Sequence, residues 1–502
     1  MDILYEMIRT LSPEEKKEFR LFLQRYQKKK PDKMQELFQL FAVPTLSSRA
    51  SVLKKLYPED ENLVAYHATR KRLIKQLSEY IFLQQKKEDS TSEGQTESLL
   101  SVAKYLFDRN AEQAGWDFLK QAEELAVKSE TYLLLNSIYS FQVEKSMSEF
   151  APGLNDILKK KQETLELALE EDRANTANQI IRHRLMEAMS SGEELNMEKI
   201  RQNVLKKYKL TDILPERPRL MYNIISMVRT AALATKDFYS FEPYIIEQFQ
   251  SAIKKEAFNR YNHRYKVHLL YMITHVLYRN KKFKKSEEYL EQLYQSLLEY
   301  NKSQFLVFYP RFCLLKAAVY NYTGRNTKAI QLLNDFLNNK AFSSDKINTL
   351  NIYLNLSTYY FQQEQYHSSV TVFRNVQHSD AWLSKIMGRE WVLKKNIIEC
   401  INQFELGHSD LVESRLKSIQ RNFQDLFSIP VYKRVQVFLA LVKKLNENPP
   451  IATSKIFKEE VERSFIFVDA EREDIQAMTF YGWLKGKMEN RKYYKVLLEL
   501  VG

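Results

Sequence analysis

The sequence predicts an all-α protein, a right-handed α-solenoid of helical hairpins that follows an N-terminal helical block. The 502-residue chain contains only 10 glycines and 12 prolines, fewer than folds rich in tight turns require. Its hydrophobic content of 44% includes 30 tyrosines and 29 phenylalanines, which is ample for a buried interior. Between residues 264 and 427 an apolar pattern returns about every 40 residues, which is typical of stacked helical repeats.

Four turns between helices repeat one pattern. Their centres are predicted at Lys281, Gly324, Glu364 and Gly407, so successive centres are 43, 40 and 43 residues apart. A small residue lies seven positions before each centre, and a second compact residue follows early in the next helix. Compact residues at matched points let two helices approach closely, so each turn is predicted to join a hairpin. The earlier residues of these pairs are Thr274, Ala317, Ser357 and Cys400, and the later ones are Ser286, Ala329, Ser369 and Val412.

This arrangement resembles the tetratricopeptide (TPR) repeat family. The best match is Leu269–Leu297, which carries a lysine pair and Phe283 at the turn and Ser286 opposite Thr274. The repeats here are longer than the roughly 34 residues of that family. The resemblance implies stacked hairpins whose first helices line a concave protein-binding groove. The last hairpin departs from the family pattern, because its first helix carries Asn396, Glu399 and Gln403 at positions that are normally apolar.

The resemblance also suggests which residues would line the groove. They form a basic, partly aromatic set, which suits an acidic peptide segment or a C-terminal carboxylate of a partner protein. The alternative explanation is that several of them pack between long helices or face water with no ligand. The predicted groove residues are His268, Tyr271, His275, Arg279, Arg311, Asn321, Asn351, Leu354 and Lys394.

The first 87 residues form a basic helical block in this prediction. They hold 18 Lys and Arg against 11 Asp and Glu, a net charge of +7 out of +13 for the chain. Ser12, Pro13 and Glu15 form a capping box that begins a helix. The basic side chains could follow the phosphates of RNA or DNA, although an ordinary solvated face is the simpler explanation. The candidate nucleic-acid contacts are Lys28, Lys29, Lys30, Arg70, Lys71, Arg72 and Lys75.

The opening of the chain is also similar to uncharacterised cytosolic helical-repeat proteins of Bacteroidetes. The similarity lies in Leu11-Ser12 followed by Glu15-Lys16, Phe19 and Phe22, then in Lys55-Leu56-Tyr57. It suggests a bacterial lineage and implies no activity.

The composition along the chain predicts five segments. The stretch 86–97 lacks apolar residues, and two prolines at 215 and 218 cannot lie inside one helix. The predicted segments are a basic helical domain at 1–87, a linker at 88–97, degenerate helical hairpins at 98–215, TPR-like repeats at 216–427 and capping helices at 428–502.

Motifs of common enzymes are missing from the sequence. It has no phosphate-binding glycine loop, no HExxH and no CxxC, so we expect no catalytic residue, metal or cofactor. Cys313 and Cys400 fall inside helical patterns and are expected to be core thiols of a reducing compartment. No apolar run is long enough to span a membrane, and the first residues do not resemble a signal peptide. We therefore expect a cytoplasmic, non-enzymatic scaffold or adaptor, with a nucleic-acid- or ribosome-associated regulator as the alternative.

Overall fold

The computed structural model describes residues 3–24, 33–42, 49–57, 63–88, 91–191, 202–204, 206–210, 216–235, 238–342, 345–429, 432–464 and 475–502. Across these ranges all regular secondary structure is helical, which confirms the predicted all-α class. None of the described helices combines the length and apolar character needed to cross a membrane. The chain divides into two compact units, Met1–Thr164 and Leu165–Gly502, and each is described by itself.

The first unit begins with five helices around an aromatic core. Phe19 lies 5.0 Å from Phe38 and 5.2 Å from Tyr80, measured between ring centroids. The predicted capping box is confirmed, because the Glu15 amide donates to Ser12 Oγ at 3.1 Å and the Ser12 amide donates to the Glu15 carboxylate at 2.6 Å. These helices are α1 (Ile3–Thr10), α2 (Pro13–Gln24), α3 (Lys33–Ala42), α4 (Arg49–Leu56) and α5 (Leu63–Glu88).

Four more helices follow, and the last of them runs into the second unit. Residues 92–97 of the predicted linker at 88–97 belong to a helix. This helix begins at Ser92, and Thr91 is its N-cap. Gly115 allows α7 to approach Phe107 closely, because a Cβ there would lie 2.7 Å from the Phe107 ring. The helices are α6 (Ser92–Asp108), α7 (Glu112–Lys128), α8 (Tyr132–Glu144) and α9 (Leu154–Ser191).

In the second unit, the described residues between 218 and 422 form five successive hairpins, each made of an A helix and a B helix. Each A helix contacts its own B helix, and each of the first four also contacts the A helix of the next hairpin. The A helices are α10 (Pro218–Thr235), α12 (His263–Arg279), α14 (Phe305–Tyr322), α16 (Lys346–Gln362) and α19 (Arg389–Glu405). The B helices are α11 (Phe241–Lys254), α13 (Phe283–Lys302), α15 (Asn326–Asn338), α17 (Tyr366–Arg374) and α20 (Ser409–Asn422). A short helix, α18 (Asp380–Met387), precedes α19.

The four predicted turn centres share one backbone conformation. Lys281, Gly324, Glu364 and Gly407 have φ of 60°, 77°, 61° and 76°, all in the left-handed region. In each turn the following amide donates to a carbonyl five residues earlier, at 2.9 to 3.0 Å. This is the Schellman arrangement, which satisfies the last carbonyls of the A helix and reverses the chain. The turn positions predicted from the sequence are confirmed.

The predicted small pairs lie where A and B helices meet. Ser286 Oγ donates to the Thr274 carbonyl at 3.0 Å, and the hydroxyls of Ser357 and Ser369 are 2.7 Å apart. Ala317 and Ala329 are fully buried at the same point of the next hairpin. Close approach of the two helices therefore rests on small side chains, as the sequence predicts.

The end of the chain folds back across the hairpin turns. Among the described residues five helices complete the unit: α21 (Gln424–Phe427), α22 (Lys433–Glu447), α23 (Lys455–Ser464) and then a last hairpin of α24 (Ile475–Glu489) and α25 (Tyr493–Val501). The Thr479 and Tyr322 hydroxyls are 2.8 Å apart, and Tyr493 lies 5.7 Å from the Phe361 ring. Trp483 Nε1 donates to Glu405 at 2.6 Å. The last hairpin thus joins the turn ends of α14, α16 and α19.

Candidate functional site

The solvent-facing side of three neighbouring A helices carries a group of arginine, histidine and aromatic side chains. We call this group the arginine–aromatic surface. Five of its members are half-buried and Arg311 is exposed, whereas Phe308 is a core residue against which the others pack. Its residues are Tyr222 and Arg229 on α10, His268, Tyr271 and His275 on α12, and Phe308 and Arg311 on α14.

Ring contacts connect the three helices. His268 lies 4.7 Å from the Tyr222 ring and 4.5 Å from the Phe308 ring, so it connects α10 to α14. Tyr271 lies 6.4 Å from Phe308 and 6.3 Å from His275. Edge and tilted contacts at these distances are favourable for aromatic groups. The surface is therefore a packed layer that spans three hairpins.

Arginine side chains lie over the rings of this layer. The Arg229 guanidinium is 5.7 Å from the Tyr271 centroid, and that of Arg311 is 5.3 Å from the Phe308 centroid. Stacking on a ring face leaves the in-plane N–H groups pointing away from the ring. Within the described part of the chain no acceptor reaches the buried Nε of Arg229. A buried donor without an acceptor is costly unless a ligand supplies one.

The charged neighbours of this layer at neutral pH are arginines. Burial first, and then the nearby charges of Arg311, Arg264 and Arg229, lower the pKa of His268 to about 4. The pKa of His275 is well below its usual value, again because of burial first and then because of Arg229. Burial also lowers the pKa of the Arg229 guanidinium itself. The surface is therefore positive, and both imidazoles are neutral at pH 7.

This environment disfavours a metal at His268 and His275. Arginines beside both imidazoles repel a cation, and the described residues contain no group of three or more His, Cys, Asp and Glu placed to hold one. Burial raises the pKa of the Cys313 and Cys400 thiols to about 12, so neither is a thiolate at neutral pH.

Four of the predicted groove residues lie together in the structure, and three others are buried outside this group. His268, Tyr271, His275 and Arg311 belong to the arginine–aromatic surface. Arg279 is buried at the end of α12, with its guanidinium 4.4 Å from the Phe238 centroid. Asn321 and Leu354, predicted to line the groove, are buried instead. Leu354 packs in a cluster with Phe373 and Ile398, so its side chain is core.

The remaining two predicted residues lie further along the A helices. Asn351 on α16 is half-buried, and its side-chain oxygen accepts from Trp391 Nε1 at 3.0 Å. Lys394 is half-buried on α19. This polar part of the A-helix side is distinct in composition from the arginine–aromatic surface.

An amide pair between hairpins explains the burial of Asn321. Its Nδ2 donates to Gln362 Oε1 at 2.7 Å, and its Oδ1 accepts from Asn326 at 2.5 Å. By its distance from the turn centre, the residue that matches Asn321 in the next hairpin is Phe361, and Gln362 lies one position later. This contact between hairpins therefore leaves no signal at the repeat period, and the groove prediction missed it.

The candidate nucleic-acid residues belong to the first unit. Lys71, Arg72 and Lys75 are exposed on α5, and Arg70 on the same helix is half-buried. Lys28, Lys29 and Lys30 lie outside the described residues. The part of this basic group that the structure describes is thus one exposed side of one helix.

Comparison of the sequence with models of protein families and with curated proteins gives no match.

Proposed function

We propose that this protein is a non-enzymatic cytoplasmic scaffold, an α-solenoid of TPR-like hairpins that binds an acidic segment of another protein on its arginine–aromatic surface. The observation that carries the proposal is Arg229. Its guanidinium is half-buried, its charged neighbours are Arg311 and Arg279, and its Nε has no acceptor among the described residues. A fold that needed only stability would place an apolar side chain there.

An acidic segment would satisfy this surface in two ways. Its carboxylates would accept hydrogen bonds from guanidinium edges that the rings leave open. Its aromatic or aliphatic side chains would cover the half-buried rings of Tyr222 and Tyr271, which lie on α10 and α12. The repeated contact between successive A helices supports a continuous surface of the kind that helical-repeat proteins use for binding.

The test is a binding titration with the full-length protein and a fluorescent decapeptide of alternating glutamate and tyrosine. Arg229→Gln and Arg311→Gln are each expected to weaken binding by about tenfold, the usual loss for one charge-assisted contact. Lys284→Gln is the matched control, because it removes the same charge from an exposed site on α13. Equal affinity of all four proteins would contradict the proposal.

The exposed side chains of Lys71, Arg72 and Lys75 favour a second candidate, a nucleic-acid- or ribosome-associated regulator that binds RNA or DNA through the first unit. Retention on a single-stranded RNA 20-mer would then fall steeply with salt. The double substitution Lys71→Glu with Arg72→Glu would abolish it, whereas Arg229→Gln would leave it unchanged. Retention that survives the double substitution would exclude this candidate.

A further inference from the structure

We propose that the group recognised by the arginine–aromatic surface is a phosphate monoester, so that the partner segment is a phosphorylated peptide. This inference rests on the proposed function and makes it more specific. It follows from the charge of the surface, from the separate helices that carry its donors and from the rings beside them.

The charge of the surface exceeds what one carboxylate can balance. Arg229 and Arg311 belong to it, and Arg279 is close enough to act on the charge of Arg229. A glutamate side chain brings one negative charge, whereas a phosphate monoester brings about 1.5 to 2 at neutral pH. Two carboxylates side by side would repel each other, and a single dianion avoids that repulsion.

The donors also suit a group with several acceptor oxygens. Arg229 and Arg311 come from α10 and α14, and His268 lies between these helices on α12, against both Tyr222 and Phe308. A phosphate offers three terminal oxygens, so it can accept from separate directions at once, whereas a carboxylate offers two in one plane. The neutral His268 ring adds a donor that needs no charge of its own.

The aromatic layer indicates what carries the phosphate. The half-buried rings of Tyr222 and Tyr271 lie beside Arg229, so the group next to the phosphate would contact these rings. Inorganic phosphate alone would leave these rings uncovered. A phosphorylated side chain within a peptide would place its stem and its neighbours on them.

The experiment compares three peptides that differ at one central position, which is serine, glutamate or phosphoserine. The phosphoserine peptide is expected to bind the full-length protein at least about tenfold more tightly than the glutamate peptide. Arg229→Gln and Arg311→Gln should each remove most of that difference. Lys284→Gln, the exposed control on α13, should leave it intact.

A second readout places the phosphate at the site independently of affinity. Nuclear magnetic resonance of the imidazole rings, with phenyl phosphate as the probe, should show the pKa of His268 rising, because an added anion offsets the field of the arginines. The rings of His367 and His408, which are exposed on α17 and beside α20, serve as internal controls.

The outcomes separate this inference from the function on which it rests. If the glutamate peptide binds in an arginine-dependent way and phosphorylation adds no affinity, the phosphate inference is wrong and the acidic-segment proposal stands. If neither acidic peptide binds, both proposals fail. A phosphate preference that survives Arg229→Gln and Arg311→Gln together would place the anion elsewhere and overturn the inference.

Discussion

At the residue scale, Arg229 is expected to lower the stability of the fold, and it is proposed to bind the ligand. Its half-buried guanidinium lies near other arginines, and the Tyr271 ring is its aromatic contact. Replacing a buried charge by an apolar side chain of similar length often stabilises a protein. Such a cost is typical of positions kept for function.

We therefore expect Arg229→Met to raise the free energy of unfolding by about 1 kcal/mol while it weakens binding of the acidic peptide. Urea unfolding and a peptide titration of the same protein measure the two effects. Arg374→Met, at an exposed position on α17, is the control and should change neither by much. A loss of stability in Arg229→Met would show that the arginine serves the fold.

The neutral state of His268 predicts a dependence of stability on pH. The folded protein holds the pKa of this ring at about 4, against 6.5 in the unfolded chain. Between these values the unfolded state binds more protons, so the contribution is fully present above pH 6.5 and is lost as the pH falls towards 4. We expect His268→Gln to reduce this acid destabilisation by about 2 kcal/mol, measured by urea unfolding at pH 7 and 4.5. If the free energy of unfolding of His268→Gln depended on pH as that of the original protein does, this expectation would be wrong.

The left-handed turn residues can be tested at Gly407. A Cβ added there would meet nothing within 4 Å, so Gly407→Ala isolates the backbone cost of φ +76°. We expect a loss of about 1 kcal/mol in the free energy of unfolding. Glu364→Gly, at φ 61° in the next turn upstream, should instead be neutral or stabilising. Equal effects of the two substitutions would show that φ does not control these turns.

At the element scale, the hairpins are what the sequence predicts best. Turn centres and small pairs depend on one helix and its neighbour in the chain, so a local pattern is enough to locate Gly324 or the pair of Ser357 and Ser369. The burial of Asn321 depends on Gln362 in the next hairpin and on Tyr494, whose hydroxyl donates to the Asn321 carbonyl at 2.5 Å. Tyr494 and Asn321 are 173 residues apart in the chain, so their contact produces no periodic pattern in the sequence.

The last hairpin is the element that sequence reasoning placed least well. The segment 428–502 was predicted as capping helices, and their contacts with the turns of earlier hairpins were not anticipated. Glu405 receives hydrogen bonds from both Trp483 and Lys487, each at 2.6 Å. The ends of α14, α16 and α19 together form the edge on which α24 and α25 lie. The sequence of one repeat alone does not predict this edge.

We expect Trp483→Ala to lower the free energy of unfolding by about 4 kcal/mol, because it removes a buried ring and the donor to Glu405. Urea unfolding measures the loss, and hydrogen exchange should show it first in α19 and α24. Tyr239→Ala is the control, since that ring is 46% exposed. If Trp483→Ala and Tyr239→Ala lost equally little stability, α24 would not hold the turns together.

At the scale of the whole molecule, binding depends on how firmly the hairpins of the second unit are held together. The arginine–aromatic surface takes side chains from α10, α12 and α14, so it exists only when three hairpins are in register. The contacts between successive A helices hold that register before a ligand arrives. A preorganised surface loses less conformational entropy on binding.

The charge of the molecule favours anionic partners without choosing among them. The net charge of +13 is divided between the basic first block and the rest of the chain. Both a peptide and an RNA would associate faster at low salt, so salt dependence alone does not separate them. The location of the bound ligand distinguishes a peptide from an RNA.

Hydrogen exchange of the full-length protein, free and saturated with the glutamate–tyrosine peptide, tests the central claim most directly. The claim predicts slower exchange in the A helices Pro218–Thr235, His263–Arg279 and Phe305–Tyr322, with no change in the B helices Phe283–Lys302 and Asn326–Asn338. Slower exchange confined to the B helices, or to Leu63–Glu88 in the first unit, would contradict it.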